Sequence, residues 1–155
     1  GHVSQALVPV LVSIGFSCTV VDDRAEFADP ALFPQAEAVY EADYEALPAD
    51  LGVTPDDYVC IMTRGHVGDY DVQRQMLAIK PYYLGVIGSR RKLAFVKEKL
   101  LADGFTAAEI DACHAPIGLA ISAVTPAEIA ISIAAELIAI RAKREGREKS
   151  RYHKP

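Results

Sequence analysis

The sequence predicts an α/β fold in which a doubly wound parallel sheet is covered by helices on both faces, giving three layers. Amphipathic helical segments alternate along the chain with short apolar segments rich in β-branched residues, an order typical of parallel sheets joined by right-handed crossovers. The strand segments are apolar almost throughout, as expected for strands buried on both faces. With 155 residues, the chain fits one domain with one core.

The chain opens with a helical pattern, since residues 3–14 place apolar side chains at spacings of three and four. Residues 17–22 form a short apolar run that predicts a buried strand, and residues 38–41 are a weaker strand candidate. A sheet of this kind begins with a strand before its first helix. We therefore expect the first strand of the sheet to be absent from this chain.

The middle of the chain repeats the alternation. Residues 57–63 and 82–87 are the strongest strand candidates, and the residues between them at 70–79 predict a helix. Residues 114–119 predict a short last strand. These segments would complete the parallel sheet.

Three later helices are predicted from their start signals. Ser89 can cap a helix that runs to about residue 103. Thr106 with Glu109, and Thr125 with Glu128, match the capping box, in which a hydroxyl and a carboxylate each bind a backbone amide at the helix start. The helix after Thr125 is the long final one.

Composition excludes several classes of protein. The formal net charge of −5 gives no basic surface of the kind that nucleic-acid binding needs. No apolar run is long enough to span a membrane, and no signal peptide opens the chain. Three widely spaced cysteines predict no disulfide framework. We expect a cytoplasmic domain at residues 1–145, without nucleic-acid or membrane partners, followed by a polar tail at residues 146–155.

Ligands of open parallel sheets bind beyond the carboxyl ends of the strands, so the turns there are the candidate sites. The first turn contains Gly1, His2 and Ser4, which match the end of a glycine-rich, phosphate-binding turn before a helix. Asp22 lies 21 positions beyond Gly1, where a dinucleotide-binding fold places its ribose-binding carboxylate. Together they predict a Rossmann-like fold, although Asp22 and Asp23 could also form a solvated turn.

The second and third turns carry cations. After the strand at residues 57–63, the candidate ligand-binding residues are Thr63, Arg64, Gly65, His66 and Asp69. Arginine offers a rigid fork to phosphate or carboxylate, and histidine titrates near neutrality. After the strand at residues 82–87, the candidates are Gly88, Ser89, Arg90, Arg91 and Lys92. Three cations in a first helical turn oppose the helix dipole, so this turn predicts an anion site.

No complete catalytic constellation is present in the sequence. The histidines and carboxylates lack the close spacing of metal ligands, and no G-x-S-x-G motif marks a nucleophile. His114 stands at the start of the last predicted strand, which favours a structural role for it. The sequence predicts a binding edge, with neither a protein-ligated metal nor catalytic residues.

Five segments in order resemble the carboxyl-terminal domain of the XdhC/CoxI family, the xanthine dehydrogenase accessory factors. They cover nearly the whole chain, and they are GHVSQAL, VVDDRAEFA, DYVCIMTRGHVGD, YYLGVIGSRRK and HAPIGLAISAVTPAEIAISIAAE. The resemblance implies a cytoplasmic accessory protein without turnover of its own. It implies binding of molybdenum cofactor (molybdopterin), sulfuration of that cofactor with a cysteine desulfurase, delivery to a molybdenum hydroxylase apoenzyme, and a homodimer.

The resemblance also implies which residues bind the cofactor. The recurrent family positions fall on Gly1, His2, Asp22, Asp23, Arg24, Thr63, Arg64, Gly65, His66, Asp69, Gly88, Ser89, Arg90, Arg91 and Lys92. They fall as well on Pro116, Gly118, Thr125, Pro126 and Glu128. Helix capping alone accounts for the last three, so we do not count them as ligands.

Three functions are compatible with this sequence. The first is a carrier in which the molybdopterin phosphate lies on Ser89 and Arg90, while Arg64 and His66 face the pterin or the metal-sulfur end. The second is an NAD(P)-binding oxidoreductase domain, which the first turn and its acidic partner suggest. The third is a regulatory module that senses a nucleotide. Fold alone does not choose among them.

Overall fold

A computed structural model describes residues 1–147 and shows the predicted alternation of helices and strands. Its elements are α1 (His2–Ser13), β1 (Thr19–Asp22), β2 (Ala38–Glu41), β3 (Tyr58–Ile61), α2 (His66–Ile79), β4 (Tyr83–Val86), α3 (Arg90–Ala102), α4 (Ala107–Asp111) and α5 (Pro126–Arg144). The α/β prediction is confirmed. The predicted polar tail at residues 146–155 lies outside the described residues from residue 148 onward.

The strands form two parallel pairs. β1 pairs with β2 in a register that sets Thr19 opposite Ala38, and β3 pairs with β4 in a register that sets Tyr58 opposite Tyr83. Within residues 1–147, no ladder joins β1 to β3. The continuous sheet that we predicted is therefore divided into two sheets, and β1 and β3 each have a ladder partner on one side only.

An apolar cavity of about 610 Å³, here called the central groove, lies between β1 and β3. Leu7 and Leu137, from α1 and α5, line it on one face of the strands, and Val72 and Met76 from α2 line the other. A doubly wound sheet has at this place the strand that leads into its first helix. The groove therefore has two parallel strand edges at its sides and apolar side chains above and below.

Two apolar cores, one on each face of the strands, hold the layers together. The first joins α1 and α5 to the strands through residues that include Leu11, Tyr83, Ile133 and Leu137. The second joins α2, α3 and α4 to the opposite face through residues that include Ile61, Met76, Val86 and Leu100. Successive strand residues point to opposite faces, so β4 supplies both cores. This arrangement gives the three layers that the sequence predicted.

Helix α2 begins at His66, ahead of the predicted start at residue 70. Gly65 precedes it with a φ of 97°, a conformation that glycine adopts without strain. Asp69 therefore lies in the first turn of the helix and not in a loop. Apolar periodicity did not reveal this turn, because His66, Gly68 and Asp69 contribute no apolar side chain to it.

The strand predicted at residues 114–119 is wrong. The segment makes one parallel bridge, from His114 to Gly85, and the Ile117 amide donates to the Val86 carbonyl at 2.9 Å. Pro116 has no amide to donate, and Gly118 turns the chain away with a φ of 90°. A regular ladder therefore cannot form along this segment.

The three helix caps predicted at Ser89, Thr106 and Thr125 are confirmed. Thr106 and Thr125 each form the complete capping box, and the Ser89 hydroxyl oxygen accepts a hydrogen bond from the Lys92 amide at the start of α3. In the part of the chain that the structure describes, no helix has the length and apolar character needed to cross a membrane.

Two isoleucines of α5 provide a test of the packing. Ile133 is 0% exposed in the first core, whereas Ile131 on the same helix is 57% exposed. Replacing Ile133 with alanine should lower the free energy of unfolding by about 2–5 kcal/mol, because a cavity remains. The matched Ile131→Ala change should stay within about 0.5 kcal/mol. Urea denaturation measures both, and equal losses would contradict the assigned inner face of α5.

The open edges of the central groove predict that an added strand stabilises the domain. A segment of about five valine and isoleucine residues, joined to Gly1, has the length of a typical strand. We expect it to raise the melting temperature and to slow amide exchange in β1 and β3, because unpaired ladder groups gain partners. A control segment with alternating prolines should do neither. Equal protection by both segments would show that no strand enters the groove.

Candidate functional site

The structure places the predicted site residues in three clusters at the carboxyl ends of the strands. The first consists of residues 1–2 and 22–24, the second of residues 63–69, and the third of residues 88–92. Asp22 and Thr63 both border the central groove, although they follow strands of different sheets. We call the region formed by the three clusters the carboxyl edge.

Asp22 is the centre of the first cluster and is 4% exposed. It accepts hydrogen bonds from Nε of Arg24 at 2.9 Å, from Nη2 of Arg24 at 3.1 Å, from the Arg24 amide at 3.2 Å, and from the Gly1 nitrogen at 3.2 Å. Burial raises the pKa of Asp22, but hydrogen bonds, above all those from Arg24, hold that pKa below its ordinary value. A ribose hydroxyl would have to compete with these donors.

Aromatic contacts orient the cation of this cluster. The Arg24 guanidinium lies 3.8 Å from the centre of the Phe27 ring, and the His2 ring meets Phe27 edge-on at 6.3 Å. Asp23 lies 3.7 Å from Nε of Arg24 and is largely solvent-facing. Phe27 therefore contributes to the first cluster, although the sequence did not point to it.

Asp69 organises the second cluster and is 3% exposed. The Thr63 hydroxyl donates to its carboxylate at 2.7 Å, and the Thr63 amide donates at 3.2 Å. Burial raises the pKa of Asp69, while the Thr63 bonds and the charges of Lys92 and His66 lower it in part. The carboxylate is buried, and its contacts stabilise the turn that carries Arg64.

The second and third clusters are in contact. The His66 ring packs edge-on against the Phe95 ring of α3, with 4.7 Å between the ring centres. Lys92, in the first turn of α3, is near enough to Asp69 to lower the pKa of that carboxyl. The amino-terminal ends of α2 and α3 therefore lie side by side, and the cations of both turns belong to one surface.

This surface is cationic and solvent-facing. Arg64 and the first-turn residues Arg90, Arg91 and Lys92 are exposed, and none of these four forms an ion pair within residues 1–147. The first turn of α3 contains no acidic residue. Since cations there oppose the helix dipole by some tenths of a kcal/mol each, a bound anion would stabilise the turn.

Tyr44 is a carboxyl-edge residue that the sequence reasoning missed. It follows the end of β2 and borders the central groove together with Asp22 and Thr63. A Cβ placed on Gly68 would lie 2.9 Å from Cδ2 of Tyr44, so the ring packs directly on the start of α2. The rule that polar residues after a strand mark the ligand edge could have found it, because β2 was a strand candidate.

The remaining family positions have structural contacts. The Gly118 amide and the His114 ring both bond to the carboxylate of Glu136 on α5, and the His114 ring lies 4.6 Å from the Tyr83 ring. These contacts fit the structural role expected for His114. In the described residues, no three His, Cys, Asp or Glu side chains come together as a set of metal ligands.

Parallel strands between helical layers, with a glycine turn, an acidic strand end and a cationic carboxyl edge, define a Rossmann-type α/β domain. The model of the XdhC Rossmann domain matches residues 1–137. The chain therefore belongs to the XdhC Rossmann domain family, as the resemblance predicted.

Known relatives are longer than this chain. It is 32% identical over 142 residues to the "Uncharacterized protein YqeB" of Escherichia coli K12, covering 91% of this chain and 26% of that protein. It is 27% identical over 135 residues to a probable xanthine dehydrogenase subunit of Bacillus subtilis 168, covering 87% of this chain and 39% of that protein. The crystal structure of a xanthine dehydrogenase from Bacillus halodurans matches with a TM-score of 0.76 at 30% identity, covering 100% of this chain and 43% of that one.

The two buried carboxylates predict opposite pH dependences of stability. Folding lowers the pKa of Asp22, so its stabilising contribution is present above the ordinary value of 3.8 and is lost as pH falls through the folded-state pKa. Folding raises the pKa of Asp69, so its contribution is present below 3.8 and is lost as pH rises through the folded-state pKa.

Urea unfolding of the wild type, Asp22→Asn and Asp69→Asn at a series of pH values tests this contrast. The wild type should be more stable than Asp22→Asn by about 1–3 kcal/mol near neutral pH, and this difference should shrink in acid. Relative to Asp69→Asn, the wild type should gain stability as pH falls toward 3.8. Two differences that change in the same direction would contradict the assignment.

Proposed function

We propose that the domain belongs to an accessory factor for a molybdenum hydroxylase of the xanthine dehydrogenase type. It would bind molybdenum cofactor and support its sulfuration and its insertion into the apoenzyme. The observation that supports this most is the joined cationic surface of the second and third clusters, in a chain of the XdhC family. Relatives named as xanthine dehydrogenase proteins support the choice of hydroxylase.

The chemistry of the carboxyl edge fits the anionic part of such a cargo. The phosphate of molybdopterin would lie on Ser89, Arg90 and the amides at the start of α3, where an anion relieves the repulsion of three cations. Arg64 offers a planar fork, and His66 offers a ring that α3 holds through Phe95. In this proposal these two residues face the pterin or the metal-sulfur end, with Asp69 keeping their turn in place.

The proposal extends to partners and location. An accessory factor of this kind would contact the apo-hydroxylase and a cysteine desulfurase, act as a homodimer, and work in the cytoplasm. It would hand over its cargo without turnover of its own. The large share of the relatives' length that lies beyond this chain is the place to seek the surfaces for those partners.

Neutralising the two arginines tests the proposed cofactor site. The full-length protein, as its gene encodes it, is purified from cells that make molybdenum cofactor. The retained pterin is then measured by fluorescence after oxidation. A hydrogen bond to a charged group contributes about 1.5–3 kcal/mol. Arg64→Gln and Arg90→Gln should therefore each reduce pterin retention by about ten- to a hundredfold.

Arg74→Gln is the matched control, because Arg74 is exposed on α2 outside the three clusters. It should retain pterin as the wild type does. Wild-type retention by Arg64→Gln and Arg90→Gln would overturn the site assignment. A wild-type protein without pterin, isolated from cells in which a molybdenum hydroxylase is active, would overturn the carrier function itself.

The second candidate is an NAD(P)-binding oxidoreductase domain, and the first cluster supports it. The Arg24 guanidinium is hydrogen-bonded to Asp22, which stands where dinucleotide-binding folds have the carboxylate that binds the ribose 2′-hydroxyl. In such folds a nearby arginine accommodates a 2′-phosphate. If this function holds, NADPH should bind more tightly than NADH by calorimetry. If the domain binds neither NADPH nor NADH, the oxidoreductase candidate is excluded. If it binds a nucleotide without any turnover, the nucleotide-sensing alternative is favoured.

A further inference from the structure

Tyr44 connects two parts of the carboxyl edge that are far apart in sequence. Its ring packs against the start of α2, where a Cβ on Gly68 would come within 2.9 Å of the tyrosine ring and 2.8 Å of the Thr63 hydroxyl. There is no space between these groups. Any shift of the Tyr44 ring therefore changes the surroundings of Thr63, which holds the second cluster through Asp69.

The backbone around Tyr44 is tied to the same helix. The side-chain amide of Gln75, on α2, donates to the Tyr44 carbonyl at 2.7 Å and accepts from the Leu47 amide at 3.1 Å. The segment after β2 is thus fastened to α2 at two points. Tyr44 approaches the second cluster on a fixed support and not on a free loop.

The segment that carries Tyr44 is also fastened to the first cluster. Burial raises the pKa of Tyr44 to about 12, the charges of Asp22 and Asp23 add to the rise, and the Asp23 amide and Arg24 oppose it. Three residues before Tyr44, Glu41 lies opposite Asp22 in the β1–β2 register, and the Ala42 amide donates to the Asp22 carbonyl at 3.2 Å. Tyr44 therefore stands between the two clusters, where Asp22 and Thr63 border the central groove together with it.

We propose that Tyr44 is a positioning residue of the carboxyl-edge site, one that sets the separation between the Asp22–Arg24 pair and the turn that carries Arg64 and His66. An anionic ligand that contacts both clusters would then bind to them at one fixed separation. This inference rests on the proposed carrier function, and it adds a residue outside the fifteen candidate positions. The ring supplies the spacing through its packing beside Gly68.

Pterin retention by the gene-encoded protein is the first measurement. Tyr44→Ala should reduce retention about tenfold, which corresponds to ~1.4 kcal/mol. Tyr44→Phe keeps the ring against Gly68 and should retain pterin within about threefold of the wild type, or ~0.6 kcal/mol. The control is Tyr82→Ala, because Tyr82 is 41% exposed and precedes β4 at the opposite end of the strands. It should behave as the wild type.

The second measurement needs no ligand. Spin labels at Ala25→Cys and Val67→Cys, with the three native cysteines replaced by alanine, report the distance between the two clusters by pulsed electron paramagnetic resonance. Both positions are solvent-facing. We expect a narrow distance distribution with Tyr44 or phenylalanine at position 44, and a broadened or shifted one with alanine.

The outcomes separate the two proposals. If the wild type retains no pterin, the carrier function is wrong, and the spin-label distances alone decide the positioning role. If the wild type retains pterin and Tyr44→Ala retains as much, the positioning proposal is overturned. An unchanged distance distribution in Tyr44→Ala overturns it as well, whatever the retention. Loss of retention in Tyr44→Phe equal to that in Tyr44→Ala would assign the effect to the hydroxyl and would overturn the role of the ring.

Discussion

The buried hydrogen bond from Thr63 to Asp69 is the interaction on which the carboxyl edge depends. It joins the second residue after β3 to the first turn of α2, and so decides how the chain leaves the strand and where the helix begins. Asp69 accepts this bond at an energetic cost, because burial disfavours its charge. The Thr63 hydrogen bonds and the charges of Lys92 and His66 offset part of this cost. The contact between the α2 and α3 clusters is thereby part of the stability of the turn.

The elements that the sequence revealed are those whose signals are local. The capping boxes at Thr106 and Thr125 were predicted correctly, since both partners of each box lie within four residues. The strands were found because apolar runs reflect burial on both faces. The start of α2 and the irregular segment at residues 114–119 were missed or misjudged. Each depends on partners elsewhere in the fold, namely Asp69 on Thr63 and Gly118 on Glu136.

The candidate site also contains residues that local sequence signals predicted and residues that they did not. Strand ends, glycine turns and clustered cations named most of its residues, because a parallel sheet brings its carboxyl ends to one edge. The sequence did not show that the Arg24 guanidinium is hydrogen-bonded to Asp22, nor that Phe27 and Phe95 pack on Arg24 and His66 and that Tyr44 packs beside Gly68. Aromatic residues are common in cores, so their type alone carries little information about a site. Their role follows from which polar group each ring touches.

The geometry of the central groove and that of the carboxyl edge constrain each other. Asp22, Thr63 and Tyr44 line the groove at the end where the candidate ligand-binding residues lie. A strand that filled the groove in parallel would end among these three residues, beside the amides at the starts of α1 and α2. The separation between the first and second clusters is then subject to two constraints, the Tyr44 bridge at the edge and the strand spacing below it. Two strand spacings of about 4.8 Å would separate β1 from β3 once the groove is filled. The packing of Tyr44 between the two clusters is therefore unstrained only if its side chain fits this separation between β1 and β3.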